Sequence, residues 1–278
     1  MMKEEIIAYK DPKSPISEII RSLRTNIQFK SNKTNIKTVL ITSVLEGEGK
    51  SWISSNLAVT FAQAGKKVLI LDADMRRGRQ YAIFNALPTP GLSNYLMTVS
   101  TSKRKVKFSK YIQPSEIENL HVFSAGDITQ RPSELLFSLE MKELLEELKD
   151  AFDIIIIDGT PCKLVTDSVI LSRVVDSTII VTAYNKTKKD DLDRVIKNIK
   201  SVSGNVDGIV INRKPINSKE YLNRYSYTMG EYKEMQKKYG NKKNDTFDEN
   251  TNEDESEMIS NQSEDILKQI NEYLKKEN

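Results

Sequence analysis

Residues 37–51, KTVLITSVLEGEGKS, restrict this chain more than any other stretch: a short apolar run breaks into a glycine-rich turn closed by Lys50 and Ser51. Gly47 and Gly49 let the backbone bend so that successive N–H groups point inward, where an anion can collect them. Lys50 offers a point charge to the β- and γ-phosphates and Ser51 a hydroxyl to Mg²⁺. A helix starting here aims its positive end at the same place. The common spacing G-x-x-x-x-G-K-[ST] would put its first glycine at Val44, so the loop is a variant. On its own a GxGKS sequence also fits a flexible turn, and the flanks decide. Val39, Leu40 and Ile41 read as a buried strand, while Ile53, Leu57, Ala58, Phe61 and Ala64 repeat at helical spacing up to Gly65, a C′ stop. The expectation is a nucleotide-binding loop.

A second apolar run, residues 68–71 in KKVLILDADMRRGR, leads into Asp72 and Asp74. Carboxylates at the C-terminal ends of strands in an open α/β sheet lie where ligands bind. Beside a triphosphate site they point to Mg²⁺ support or a proton acceptor; the plainer alternative is a capping aspartate beside a salt-bridged one. FDIIIIDGTPC supplies a third strand, residues 154–157, ending in Asp158, the expected partner of the Mg²⁺ water shell. Residues 178–182 and 208–211 continue the series, each separated by a helix-length segment. Such β-branched runs, without period-two alternation, predict an α/β fold with a mostly parallel sheet flanked by helices on both faces.

The flanking segments are less regular. Residues 1–16 read as an extended arm with Pro12 and Pro15, followed by a helix that begins near Ser17 and buries Ile19, Leu23 and Ile27. Glu18, Arg21 and Arg24 lie mostly off that stripe, which fits either pairing within the helix or a contact between subunits. Pro88, Pro90 and Gly91 open an irregular region, 88–136. Its basic run, Lys103, Arg104, Lys105, Lys107 and Lys110, reads as a solvated loop or as a contact for anionic lipid or a polyanion. Phe108 is the only aromatic among these residues, so no nucleic-acid partner is expected. A strand at 120–124 and a helix from Pro132 through Leu148, with Leu136, Leu139, Leu144, Leu145 and Leu148 inward, complete the region.

Composition bounds the rest. With 278 residues, 38% of them hydrophobic, and a formal net charge of +3, the chain fits one large soluble, cytosolic domain plus a tail. No apolar run approaches the roughly 18 residues of a transmembrane helix, so membrane contact is expected only through a partner or a surface patch. One cysteine, Cys162, and one histidine, His121, leave neither an intramolecular disulfide nor a zinc site; Cys162 reads as a packed small residue. From Lys219 onward the composition shifts. Tyr221, Tyr225, Tyr227, Tyr232 and Tyr239 are five of the eleven tyrosines, in a stretch too polar for a core. On residues alone Tyr225, Tyr232 and Tyr239, seven apart, make one aromatic helix face seeking a partner. Residues 241–278 read as an acidic disordered tail with a short amphipathic stripe, Ile266, Leu267, Ile270, Tyr273 and Leu274.

Taken in order, SPISEIIRSLRTNIQF, GEGKS, LILDADMR, PSELL, IIIID and the tyrosine-rich segment resemble the bacterial tyrosine kinases (BY-kinases) of capsule and exopolysaccharide assembly, in their Gram-positive form as a separate cytoplasmic subunit. The resemblance covers about residues 10 to 215. It implies a phosphate-loop NTPase fold of the MinD/ParA-like type with a variant Walker A loop. It further implies a protein-tyrosine kinase using ATP and Mg²⁺, with Gly47, Glu48, Gly49, Lys50, Ser51 and Trp52 around the phosphates and Asn212 and Arg213 at the adenine. Ser51, Asp74 and Asp158 would serve the metal, and Asp72 would accept the tyrosine proton. Residues 1–240 would form the kinase domain, with Tyr221 to Tyr239 phosphorylated in trans and Glu18, Arg21 and Arg24 joining subunits in a ring. Implied partners are a transmembrane activator of the Wzz-like polysaccharide co-polymerase kind, recruiting the chain to the inner membrane face, and a tyrosine phosphatase. The sequence departs from the family pattern at Glu46 (usually Pro), Gly159-Thr160 (within D-T-P-P) and Arg131 (usually Asn). The rival readings are a MinD/ParA-like ATPase, whose signature loop lysine is replaced here by Leu45, and a nucleotide-switched scaffold that transfers no phosphate.

Overall fold

Ile154, Ile155, Ile156 and Ile157 are all buried, and their side chains alternate between two different cores: Ile154 and Ile156 in one, Ile155 and Ile157 in the other. That double burial defines the architecture, because a strand covered on both faces needs helices on each side. The computed structural model describes residues 6–102 and 106–215. The tyrosine cluster, the acidic tail, the boundary at 240 and Lys103 to Lys105 of the basic run lie outside the described residues.

The chain opens with α1 (Ile7–Lys10) and α2 (Pro15–Thr34), then β1 (Thr38–Ser43), α3 (Lys50–Gln63), β2 (Val68–Asp72), α4 (Gln80–Ile83) and α5 (Leu92–Thr101). It continues through β3 (Gln113–Pro114), β4 (Leu120–Phe123), α6 (Pro132–Phe137), α7 (Leu139–Ala151) and β5 (Ile154–Pro161). α8 (Asp167–Ser172), β6 (Ser177–Ala183), α9 (Lys189–Ser201) and β7 (Val206–Asn212) complete it. The sheet order is β3-β4-β2-β5-β1-β6-β7, parallel except for the β3–β4 pair. α2 and α3 cover Val39, Ile41, Val68 and Ile70 on one face, with Ile20, Ile53, Leu57 and Ala58. α5, α7 and α8 cover Leu40, Leu69 and Leu71 on the other, and Val195 and Ile199 of α9 meet Ile180 beyond them. β2 and β5 lie side by side with Asp72 opposite Asp158, so the two sequence-distant acids become neighbours at the same edge.

The N-terminal arm differs from the extended segment expected. Residues 7–10 are helical, and α2 begins at Pro15 with Ser14, not Ser17, as its N-cap: Ser14 Oγ accepts the Ser17 N–H at 3.1 Å. Ser17 instead sits inside the helix and donates to the Asp11 carbonyl at 2.6 Å, tying the arm down. Pro15 at the first helical position has no N–H to lose there, which moves the start forward. The buried stripe is Ile20 and Ile27 with Leu23 partly covered, while Ile19 is 43% exposed. Both isoleucine spacings fit a helix; tertiary packing chose the other.

The expected helix 132–148 is two helices. Ser138 is extended, ends α6, and caps α7 by accepting the Met141 N–H at 3.3 Å, which leaves Leu139 exposed rather than inward. The region 88–136 also holds a ten-residue helix, α5, and Leu92, Tyr95, Leu96 and Val99 at i, i+3, i+4 and i+7 were its legible signal. β5 runs three residues past Asp158, so that aspartate lies within the strand and not at its end. This run explains Gly159: a Cβ there would stand 2.3 Å from Ser168 Oγ, which instead bonds the Thr160 backbone, accepting its N–H at 2.7 Å. Gly159 thus leaves room for the close approach of Ser168 from α8 to β5. Cys162 is buried as expected, and burial pushes its thiol pKa up to about 11.

Candidate active site

The turn between β1 and α3 is held by its own chain. Gly47 and Gly49 adopt φ of +75° and +94°, a region that side-chain-bearing residues avoid, and a Cβ on Gly49 would fall 2.2 Å from Asn212 Nδ2. Glu48 is fully buried: its carboxylate accepts the Leu45 N–H at 2.7 Å and the Thr187 hydroxyl, and its carbonyl accepts from Asn212 Nδ2 at 2.9 Å. Glu48 and Asn212 thus staple the loop to the ends of β6 and β7, and Asn212 in turn accepts the Arg213 N–H at 2.8 Å. Trp52 packs its side chain against the α2/α3 core, leaving its backbone at the helix start. Lys186 Nζ lies 3.8 Å from where a Gly47 Cβ would stand, a second cation over the loop that sequence reading missed.

Lys50 brings the acids together. Its ammonium donates to Asp74 Oδ2 at 3.2 Å and to Ser51 Oγ at 3.3 Å, and stands 3.8 Å from Asp158 Oδ1. Burial works against that charge, but Asp158, Asp74 and Asp72 outweigh it and hold the Lys50 pKa above its ordinary value. Asp74 uses its other oxygen to accept the Arg76 and Arg77 N–H groups at 3.3 and 2.9 Å. Asp72 is fully buried and accepts the Asp74 N–H on one oxygen at 3.2 Å and the Gln80 N–H on the other at 2.9 Å. Burial first, then the Asp158 charge, pushes the Asp72 carboxyl up to about 7. Glu46, the carboxylate in place of proline, pairs with Arg77 across the mouth, so its charge is matched rather than bare.

These groups fit Mg²⁺. Every candidate donor, Ser51 Oγ, Asp74 and Asp158, is a hard oxygen, and the repulsion between Asp158 and the facing Asp72 is what a cation relieves. Among the described residues no three carboxylate, imidazole or thiol side chains converge to hold an ion by themselves. Mg²⁺ suits such an arrangement because it keeps several waters and takes phosphate oxygens. Two further connections escaped the sequence. Arg76 Nε donates to the buried Asp167 at 2.8 Å, and Ser133 Oγ donates to the same carboxylate at 2.6 Å, locking the DADMR and PSELL segments together. Arg131 makes no side-chain cap to α6. In α2, Arg21 Nε donates to Glu18 at 2.8 Å, and Arg24 donates to the Thr60 carbonyl of α3 at 2.7 Å, so both arginines have partners within their own chain.

A mostly parallel sheet with a glycine turn feeding a helix, and acids on and just after the adjacent strands, defines a phosphate-loop nucleotide-binding protein. The family model for an AAA domain, AAA_31, matches residues 36–211. The fold is shared with the cell-division ATPase MinD of Pyrococcus furiosus, at 22% identity and a TM-score of 0.53 over 68% of this chain and 79% of that one; this likeness concerns fold alone. The chain is 37% identical over 226 residues to the putative tyrosine-protein kinase CapB of Staphylococcus aureus, covering 81% of this chain and 95% of that one. The crystal structure of the chimerical protein CapA2B2 superposes with a TM-score of 0.71 at 36% identity, over 76% of this chain and 91% of the other. The chain belongs to the bacterial tyrosine-protein kinases, a class of phosphoryl-transfer enzyme. Among the described residues, no helix is long and apolar enough to cross a membrane.

Proposed function

We propose that this chain transfers the γ-phosphoryl group of ATP to tyrosine, with Tyr221, Tyr225, Tyr227, Tyr232 and Tyr239 of a neighbouring copy as its first substrates. The observation that carries the reading is the Lys50 ammonium set among Asp74, Asp158 and Ser51 at the mouth of a loop whose glycines have positive φ. Phosphoryl transfer needs alignment and charge stabilisation more than covalent help from the protein. Backbone N–H groups of residues 47–52 take the phosphate oxygens, Lys50 turns its charge to the β- and γ-phosphates, and Asn212 and Arg213 border the base. Ser51, Asp74 and Asp158 would hold Mg²⁺, which when bound supplies charge neutralisation on the phosphates. The tyrosine hydroxyl forms the new O–P bond as the bond to the ADP oxygen breaks, and its proton passes to Asp72. The kinase domain extends through residue 240 to include the cluster, and 241–278 is a separate tail. The chain acts at the inner face of the membrane with a transmembrane activator, as a ring whose phosphorylation state, reset by a phosphatase, controls capsule or exopolysaccharide assembly.

Lys50→Met tests the chemistry. Purified wild-type chain incubated with Mg·ATP should accumulate phosphotyrosine, and Lys50→Met should accumulate none; a variant that still labels would refute the loop assignment.

A further inference from the structure

We infer that Gln80 is a positioning residue that holds Asp158 for the metal beside the buried Asp72, an inference that rests on reading this site as one for a Mg²⁺-nucleotide. Asp72 and Asp158 face each other on adjacent strands, both fully buried. Two carboxylates in such a place repel, and each needs donors that do not cancel its charge. Gln80, also fully buried, supplies both: its backbone N–H donates to Asp72 Oδ2 at 2.9 Å, and its side-chain Nε2 donates to Asp158 Oδ2 at 2.8 Å. Nε2 also donates to the Ser51 carbonyl at 3.2 Å, so one amide ties the start of α3 to β5.

The orientation of that amide is set by its surroundings. Turned over, it would press Oε1 against a carboxylate oxygen and a carbonyl oxygen. As placed, Oε1 is buried and has no hydrogen-bond partner among the described residues. An orphaned buried acceptor is costly, and a side chain kept for packing alone would be apolar and avoid it. The two donor hydrogens are therefore what this position supplies. A lysine or arginine would hold the carboxylates equally but neutralise them; a neutral amide leaves their charge for a cation. With Oδ2 held by Gln80, Asp158 turns Oδ1 toward Lys50 at 3.8 Å and Ser54 Oγ at 3.3 Å. The return of the chain to the acids depends on Gly78, where a Cβ would stand 2.9 Å from Asp72 Oδ2 and 2.6 Å from the Ala125 side chain.

The test is Gln80→Met, similar in size but without donors, with a fluorescent ADP analogue titrated at fixed Mg²⁺ and without it. The half-saturating Mg²⁺ concentration should rise about tenfold, the usual effect of removing a partner from a metal-holding side chain, while metal-free nucleotide affinity is kept. Because Gln80 acts through Asp158, the effect should vanish when Gln80→Met is made in an Asp158→Asn background. Gln80→Asn, one methylene shorter, withdraws the donors while keeping polarity, and gives the same answer if the methionine variant does not fold. An unchanged Mg²⁺ requirement, an equal loss with and without metal, or additive effects with Asp158→Asn would each overturn the role of Gln80. A wild-type chain whose nucleotide binding ignores Mg²⁺ would overturn the reading of the site, and this inference with it.

Discussion

Asp72 and Asp74 stand one residue apart, yet their oxygens are used differently. Both oxygens of Asp72 accept backbone N–H groups, from Asp74 and Gln80, whereas Asp74 spends one on the turn and directs the other at Lys50. Asp74 thus keeps one oxygen clear of backbone donors, as its proposed metal role needs, while Asp72 is the proposed proton acceptor. Nucleotide titrations should show Asp74→Asn losing Mg·ATP more severely than Asp72→Asn, with phosphotyrosine formation abolished in Asp72→Asn. Equal losses of binding would remove the distinction. Asp72→Asn should also lower thermal stability, since an amide NH₂ set against a buried N–H costs about 1–3 kcal/mol. Lys50, Ser51 and the three acids were legible as candidates because each follows an apolar strand run, although Asp158 proves to lie within β5. Gln80 was not: it lies eight residues after Asp72 with no motif to mark it, and only the fold of the Gly78 turn brings it back.

Elements differ in how far their own residues determine them. β1, β2 and β5 were readable because buried parallel strands are continuous apolar runs. α5 lacks charges to mark a polar face, so its apolar spacing was the one signal it offered, and Ser138 resembles any helical serine until its extended backbone is seen. The opposite end of the sheet from the site is held by a group no motif announced. The Asp176 carboxylate accepts from Lys37 N–H at 2.9 Å, Thr38 N–H at 2.8 Å, Thr38 Oγ1 at 2.9 Å and Lys149 Nζ at 3.0 Å, joining β1, α7 and the entry to β6. Burial would raise its pKa, but these donors outweigh it and leave the value below its ordinary 3.8. A depressed carboxylate contributes stability that is present above its unfolded pKa and lost as pH falls through the folded one. Asp176→Ala should therefore destabilise the fold at pH 7 by about 2 kcal/mol, and the deficit should shrink under strongly acidic conditions. Urea denaturation at the two pH values checks this; a deficit independent of pH would reject the charge as its source.

The proposed assembly would bring the start of the chain and the tyrosine cluster into one scheme. Glu18 and Arg21 form an exposed pair on α2, available to a neighbouring subunit, while Arg24 serves its own α3 through the Thr60 carbonyl. In the proposed ring the E-x-x-R-x-x-R segment would have two jobs, and they separate experimentally. Arg21→Ala should shrink the oligomer in light scattering and reduce autophosphorylation with little change in thermal stability, whereas Arg24→Ala should also lower stability. An Arg21→Ala chain of wild-type mass and activity would count against a ring built on this helix. Each added phosphate brings about −1.5 to −2 charges, so a labelled cluster should be repelled from the acidic site and the ring should loosen. The central claim is that one copy phosphorylates the tyrosines of another, and a mixing experiment addresses it most directly. Lys50→Met, which keeps its tyrosines, is combined under Mg·ATP with an active chain whose five clustered tyrosines are phenylalanine, and phosphotyrosine is mapped by mass spectrometry. The account predicts phosphate on Tyr221 to Tyr239 of the Lys50→Met chain; a mixture in which the active chain turns over ATP and that cluster stays unlabelled would contradict it.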